Sequence, residues 1–230
     1  MKNIIDILAA LSGLKVIPLE NNLELAYYEN KDDFFIFKYS TYAELSELTD
    51  ASLKDVQFIL NSLVVDLKNS ETFRALQYRS INQNLSLLLF LEFEDSISQS
   101  FKELNKAEEN YINAKKYALP YRAADVEILA QKIEGSEDIV KTLNSLAVDN
   151  SNLLEKNEES WYDLLLQLFI KVPFLNYQPK DGQQSIGNLH SMIHELLDPR
   201  QAALLTIIKE SNIADIADIE TFVNSKNILS

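Results

Sequence analysis

This 230-residue chain has two histidines, and their type and spacing could support catalysis. His190 and His194 stand four apart in a segment that predicts a helix, so both imidazoles would lie on one face, as two ligands of a metal ion do. A zinc-protease helix also needs a glutamate directly after the first histidine, and Ser191 stands there. The alternative is an ordinary pair of solvated or capping side chains.

Glu92 and Glu94 are the second candidates for chemistry. They close an apolar run that predicts a strand over residues 85–93, and alternation places both carboxylates on one face of it. Paired carboxylates can bind Mg²⁺ or act as general acid and base, so a metal-dependent hydrolase or nuclease using the acidic residues 92–95 is one hypothesis. A PD-(D/E)xK nuclease would need an acid-x-lysine element, and Glu92-Phe93-Glu94 lacks the lysine. The structural alternative is a strand that ends in solvent and leads into a helix whose first turn favours acids.

Glycine and cysteine usage argues against bound cofactors. The chain has four scattered glycines, whereas a dinucleotide fingerprint needs three within six residues. Gly182 and Gly187 have the spacing of a P-loop, but Asn188 and Leu189 replace the lysine and hydroxyl residue that hold phosphate and magnesium. No cysteine is present to form a disulfide, a thiolate nucleophile or an iron–sulfur site. We therefore predict a protein without a cofactor or catalytic activity.

The charge of the chain restricts its partners. The sequence carries 35 acidic and 21 basic residues, a formal net charge of -14. Duplex DNA is therefore not expected as a direct partner, because binding phosphates requires clustered lysine and arginine. An acidic DNA-mimic inhibitor is a further hypothesis, although the acids are dispersed among lysines. The longest apolar run, residues 85–91, is too short to cross a membrane, and the absence of cysteine suits the cytoplasm.

Aromatic and basic side chains interleave in one segment of this acidic chain. Tyrosine, tryptophan and arginine are the residues most often found as anchors of protein interfaces, and aromatic residues beside cations can also stack on single-stranded nucleic acid. The net charge favours a groove with acidic residues on another protein over nucleic acid. The predicted partner-interface residues are Tyr111, Lys115, Lys116, Tyr117, Tyr121 and Arg122, together with the sole tryptophan, Trp161, whose alternative role is in the core.

The elements that would position these residues follow from hydrophobic periodicity. Strands are predicted at residues 15–19, at the alternating run 23–28, at the aromatic run 34–39 and at the nearly continuous apolar run 85–93, which is expected at the centre of the sheet. The residues before Pro120 predict an extended segment. Helical periodicity predicts helices at residues 3–12, 123–134, 137–148, 160–171, 186–197, 200–211 and 215–227. The predicted fold is α+β, with a small, mostly antiparallel sheet and packed helices in residues 1–122 and an all-helical half in residues 123–230.

Three segments resemble a known family when they are taken in order. Residues 33–39, 115–121 and 159–175 read DFFIFKY, KKYALPY and ESWYDLLLQLFIKVPFL. They resemble the small middle component of bacterial ABC-three-component systems, which include Lamassu-type anti-phage defence. The resemblance rests on aromatic and apolar blocks, and the family offers no catalytic residues to transfer to this sequence.

The resemblance implies an accessory subunit in a bacterial defence complex. Such a subunit assembles with an SMC-like ABC ATPase and an effector, commonly a nuclease, and couples the sensing of foreign DNA to activation of that effector. DNA would then be reached only indirectly, through the complex. The expectation from the sequence is a non-catalytic, acidic protein that acts through its surfaces.

Overall fold

The computed structural model describes residues 1–76, 80–81, 83–94, 101–155 and 160–177. The chain divides into two compact units, Met1–Lys180 and Asp181–Ser230, and every described residue belongs to the first. The domain boundary expected near residue 122 lies within that first unit. The predicted helices after residue 177 and the His190–His194 pair lie outside the described residues.

Five strands and eight α-helices make up the described part of the chain. The strands are β1 (Lys15–Pro18), β2 (Leu23–Tyr27), β3 (Phe34–Thr41), β4 (Leu85–Glu92) and β5 (Lys115–Tyr121). The helices are α1 (Lys2–Leu11), α2 (Tyr42–Ser52), α3 (Val56–Lys68), α4 (Glu71–Arg74), α5 (Phe101–Glu109), α6 (Ala123–Ile133), α7 (Ile139–Asp149) and α8 (Ser160–Lys171), with a short 3-10 helix at Ser151–Glu155. Each strand predicted from the sequence is present within a few residues of its expected bounds.

The five strands form one mixed sheet in the order β1-β2-β3-β4-β5. Strands β1 to β3 pair antiparallel, whereas β3 with β4 and β4 with β5 pair parallel. The predicted α+β class is confirmed, and the sheet is mixed where the sequence predicted a mostly antiparallel one. The reason lies in the connections, because the chain passes through helices before β4 and β5 and so re-enters the sheet in the same direction.

Helices cover the sheet on both faces. The side chains of Phe35, Phe37 and Leu88 pack on what we call the first face, with α1, α6, α7 and α8. Ile36 and Leu87 pack on the second face, with α2 to α5. Strand β4 is buried on both sides, as its continuous apolar run predicts, although the middle strand of the sheet is β3. The result is a three-layer core that holds α6 to α8 against the strands.

The outer edge of β5 is closed by two side chains. Glu108 of α5 accepts a hydrogen bond from Ala118 N at 2.7 Å, and Lys171 of α8 donates one to Ala118 O at 2.7 Å. The same lysine and glutamate form an ion pair at 2.9 Å. We call these three residues the β5 clamp. Alternation places Pro120 on the same outer edge, where it has no N–H to offer.

A proline also occupies the opposite edge of the sheet. Leu19 N donates to Leu23 O toward β2, so alternation turns Pro18 of β1 outward. A strand edge with free N–H groups can pair with another chain, and proline removes one of those donors. In the described part of the chain, none of the helices is long and apolar enough to span a membrane.

Candidate partner-binding surface

The predicted interface segment 111–122 is divided by the fold among three elements. Tyr111 lies in the loop between α5 and β5, the next candidates lie in β5, and Arg122 precedes α6 as its N-cap. The side chain of Tyr111 is 71% exposed and its neighbour Ile112 is 63% exposed. These two large side chains therefore project from the loop that leads into an edge strand.

A buried lysine organises this loop from beneath. The Lys116 residue is only 4% exposed, and its Nζ donates to the carbonyl oxygens of Asn110 at 2.7 Å, Ile112 at 2.9 Å and Ala114 at 3.2 Å. The Asn110 side chain closes the loop by accepting a hydrogen bond from Ile112 N at 2.8 Å. We call residues 110–114 the lysine-held loop. Hydrogen bonds hold its main chain, while the side chains of Tyr111 and Ile112 face outward.

A second lysine holds the same loop from α3. Lys68 Nζ donates to Asn113 O at 2.6 Å, and Asn113 has a positive φ of 67°, a conformation that asparagine tolerates better than most residues. Burial lowers the pKa of Lys68 and of Lys116, and for Lys116 the nearby charge of Lys68 lowers it further. Within the described residues neither ammonium is paired with a carboxylate. Lys115, which directly follows the loop, is exposed, and alternation along β5 turns its side chain to the side opposite Lys116.

Arg122 is engaged in joining two helices. Its Nε donates to Asp125 Oδ2 at 3.1 Å and its Nη2 donates to Ser160 Oγ, while Ser160 Oγ donates to the other oxygen of Asp125. Asp125 is buried, so these bonds satisfy a carboxylate that would otherwise lie unpaired between α6 and α8. The guanidinium, although half exposed, is positioned by contacts within its own chain.

Tyr117, Tyr121 and Trp161 pack on the first face of the sheet, away from the lysine-held loop. Tyr117 is partly buried, and Tyr121 and Trp161 belong to the hydrophobic core. Lys132 Nζ lies 4.2 Å from the centroid of the Trp161 ring. The structure therefore does not bring the seven predicted interface residues to one surface. It leaves Tyr111 exposed in the loop and Lys115 exposed directly after it.

The acidic candidate Glu92 lies at the end of β4 on the first face. Tyr121 donates its hydroxyl to Glu92 Oε2 at 3.3 Å, and burial, followed by the charge of Glu92, raises the pKa of Tyr121. Glu94 is exposed, and Asp95 lies outside the described residues. Among the residues that the structure describes, no group of three or more histidine, aspartate and glutamate side chains is arranged to hold a metal ion.

A related polar cluster surrounds Glu24 on the same face. Lys2 of α1 donates to Glu24 Oε1, and its Nζ also lies 3.4 Å from Asp6 and 5.2 Å from the Tyr39 ring centroid. Burial and the charges of Glu24 and Asp6 raise the pKa of Tyr39. The buried glutamate is thus paired with a lysine of the same chain, and this ion pair connects α1 to the sheet.

Two residues of this candidate surface could not be singled out from the sequence. Ile112 and Lys68 belong to the lysine-held loop and its support, yet neither was predicted. The sequence does contain a turn signal around Ile112. Tyr111 and Ile112, two large side chains, stand between Asn110 and Asn113, and asparagine is typical of turns. No local signal identifies Lys68, because its contact with the loop joins residues 45 positions apart.

Comparison of the chain with protein-family models, with curated proteins and with solved structures finds no match.

Proposed function

We propose that this chain is a non-catalytic subunit that binds partner proteins, and that the lysine-held loop is one of its binding surfaces. The observation that supports this most is the exposure of Tyr111 and Ile112 on a main chain whose carbonyl oxygens are held by Lys68 and Lys116. Exposed side chains of this size carry an unfavourable contact with water that a partner would relieve.

The rigidity of the loop favours binding. Ordering a flexible loop costs free energy when a complex forms, so a loop already held in place loses less on association. A tyrosine supplies a large contact area with few rotatable bonds, which is why it recurs among interface anchors. The exposed Lys115, which directly follows the loop, complements an apolar pocket with an acidic rim on the partner.

The assembly that we propose is a bacterial anti-phage defence complex. In it the chain would link an SMC-like ABC ATPase to an effector such as a nuclease and regulate the activation of that effector. The resemblance of residues 33–39, 115–121 and 159–175 to the middle component of ABC-three-component systems supports this assignment. The net charge of -14 agrees with DNA being contacted by other subunits.

Affinity purification of the tagged chain from its native host tests the proposal. We expect an SMC-like ATPase and an effector to co-purify, with their yield reduced about tenfold or more in the Tyr111→Ala/Ile112→Ser double variant, equivalent to the loss of one good anchor. Ile170→Ser is the matched control, because Ile170 is also a highly exposed isoleucine but lies on α8. A chain that purifies alone contradicts the assembly, and equal yields from both variants contradict the role of the loop.

A further inference from the structure

An apolar groove lies between α1 and the helices α6 and α7. It has a volume of about 470 Å³, and its apolar lining includes Ile4, Ile7, Ala130, Ile133 and Ile139. These side chains come from three helices of the first face, so the groove is separate from the lysine-held loop, which is built on α3, α5 and β5 of the second face.

The open side of the groove exposes aliphatic surface. Ile7 is 41% exposed although it lines the groove, and Leu11, one helical turn later on the same face of α1, is more exposed still. The adjacent positions Ile4 and Leu8 are buried in the core. The apolar stripe of α1 therefore extends past its buried part to Ile7 and Leu11, which the described residues leave partly uncovered.

The secondary structure of a segment that binds in the groove is restricted by the helices that line it. Helices bond their own N–H and C=O groups internally, so α1, α6 and α7 offer few main-chain partners to an incoming segment. An extended peptide would bury its own polar main chain unpaired against the isoleucines, which is costly. A helix satisfies its main chain itself and presents only side chains, so it can fill an apolar groove of this kind.

Acidic residues at the end of the groove select the charge of that helix. Glu134 lines the groove, and Glu137 and Asp138 follow in the exposed turn between α6 and α7. No lysine or arginine is in the lining, and within the described residues Glu134 and Glu137 form no ion pair. Opposite charges across an interface speed association and fix its register.

We infer that this groove is the docking site of an amphipathic helix from a partner protein, with leucine-like residues on one face and lysine or arginine beside the α6–α7 turn. Its place on the first face leaves the lysine-held loop free. The inference adds a second surface to the proposed function: a chain that docks a helix on one face of the sheet and an acid-rimmed pocket on the other can bridge two partners.

A designed peptide tests this inference on the full chain. The probe is a blocked helix of about 18 residues, long enough to be helical in water, with leucine on one face and lysine and alanine on the other. Two comparison peptides replace lysine by glutamate or scramble the order of the residues. We expect saturable binding of the probe, measured by fluorescence anisotropy, and binding weaker by about tenfold or more for both comparison peptides.

Variants of the chain complete the test. Ile7→Glu should weaken binding of the probe by about tenfold or more, whereas Ile128→Glu, at an isoleucine of similar exposure (38% against 41%) outside the groove lining, should leave it unchanged. Far-UV circular dichroism confirms that both variants fold. The Tyr111→Ala/Ile112→Ser variant should bind the probe normally, which separates this inference from the proposed role of the loop.

Three outcomes would overturn the inference. Equal affinity for the scrambled peptide would mean general attraction of lysine to an acidic chain. Unchanged binding by Ile7→Glu would place the peptide elsewhere. A dimer of the wild-type chain that Ile7→Glu dissociates, seen by light scattering without peptide binding, would make the occupant a second copy of this chain.

Discussion

Lys116 shows how one residue can contribute to a surface without lying on it. The Lys115-Lys116 pair is predicted from the sequence as two exposed interface cations, and at the start of an edge strand alternation sends the two side chains to opposite sides. Lys115 is exposed, whereas Lys116 is buried and satisfies three carbonyl oxygens of the loop. Tyr111, Lys115 and Lys116 could be singled out from the sequence, whereas Ile112 and Lys68 could not, and the direction of each lysine side chain depends on strand register.

Replacement of Lys116 by methionine tests this role. We expect Lys116→Met to lower the free energy of unfolding by about 1–3 kcal/mol, because it leaves carbonyl oxygens of the loop without their donor. Urea denaturation measures the loss, and amide hydrogen exchange in residues 110–114 should quicken. Lys115→Met is the matched control and should change stability by less than about 0.5 kcal/mol. Equal effects of the two variants would contradict the internal role of Lys116.

For strand β5, the conformation could be predicted from its own sequence, but its pairing and its side-chain contacts could not. Its extended conformation follows from Pro120, which restricts the residue before it, and that prediction is confirmed over Lys115–Tyr121. Its parallel pairing with β4 was not predicted, because pairing direction depends on the path of the connecting chain rather than on the strand itself. The β5 clamp could not be predicted from the sequence either, because Glu108 and Lys171 are 63 positions apart and lie on two different helices.

Opening the β5 clamp should destabilise the protein and expose the strand edge. Lys171→Met removes the donor to Ala118 O and leaves Glu108 without its cation, so we expect a loss of about 1–3 kcal/mol in the free energy of unfolding. Static light scattering should show association that grows with protein concentration, because a free strand edge pairs with other chains.

A lysine on α5 provides the control for the clamp. Lys106 pairs with Glu103 at 2.8 Å, but both side chains are largely exposed. Surface pairs of this kind contribute little, so Lys106→Met should cost less than about 1 kcal/mol and cause no association. A Lys171→Met variant that behaves like Lys106→Met would show that the clamp is not needed.

At the scale of the whole molecule, one sheet serves two hydrophobic clusters. The division expected at residue 122 follows from a change of pattern along the chain, from strands to helices. Yet α6 to α8 pack on the same strands as α1, and the first compact unit extends to Lys180. The kinds of element could be predicted locally, whereas the domain limits depend on contacts between distant segments.

The shared sheet predicts a single cooperative unfolding transition. Leu87 and Leu88 are neighbours whose side chains pack on opposite faces, and each Leu→Ala change should cost about 2–5 kcal/mol. Fluorescence of Trp161, the sole tryptophan and a first-face residue, should report the loss in both variants. A Leu87→Ala variant that shifts the far-UV circular dichroism transition but not the fluorescence midpoint would show that the two faces unfold separately.

The prolines at both margins of the sheet have a consequence for how this protein changes over generations. Pro18 and Pro120 face outward from β1 and β5, and the β5 clamp occupies the remaining main chain around Ala118. Partner proteins must therefore be recognised through side chains and not through main-chain hydrogen bonds at the sheet edges. The main chain is the same in every sequence, whereas a side chain can be changed by a single mutation. A lineage could therefore exchange one partner for another at Tyr111 or Ile7 through a few substitutions, while inheriting its three-layer core unchanged.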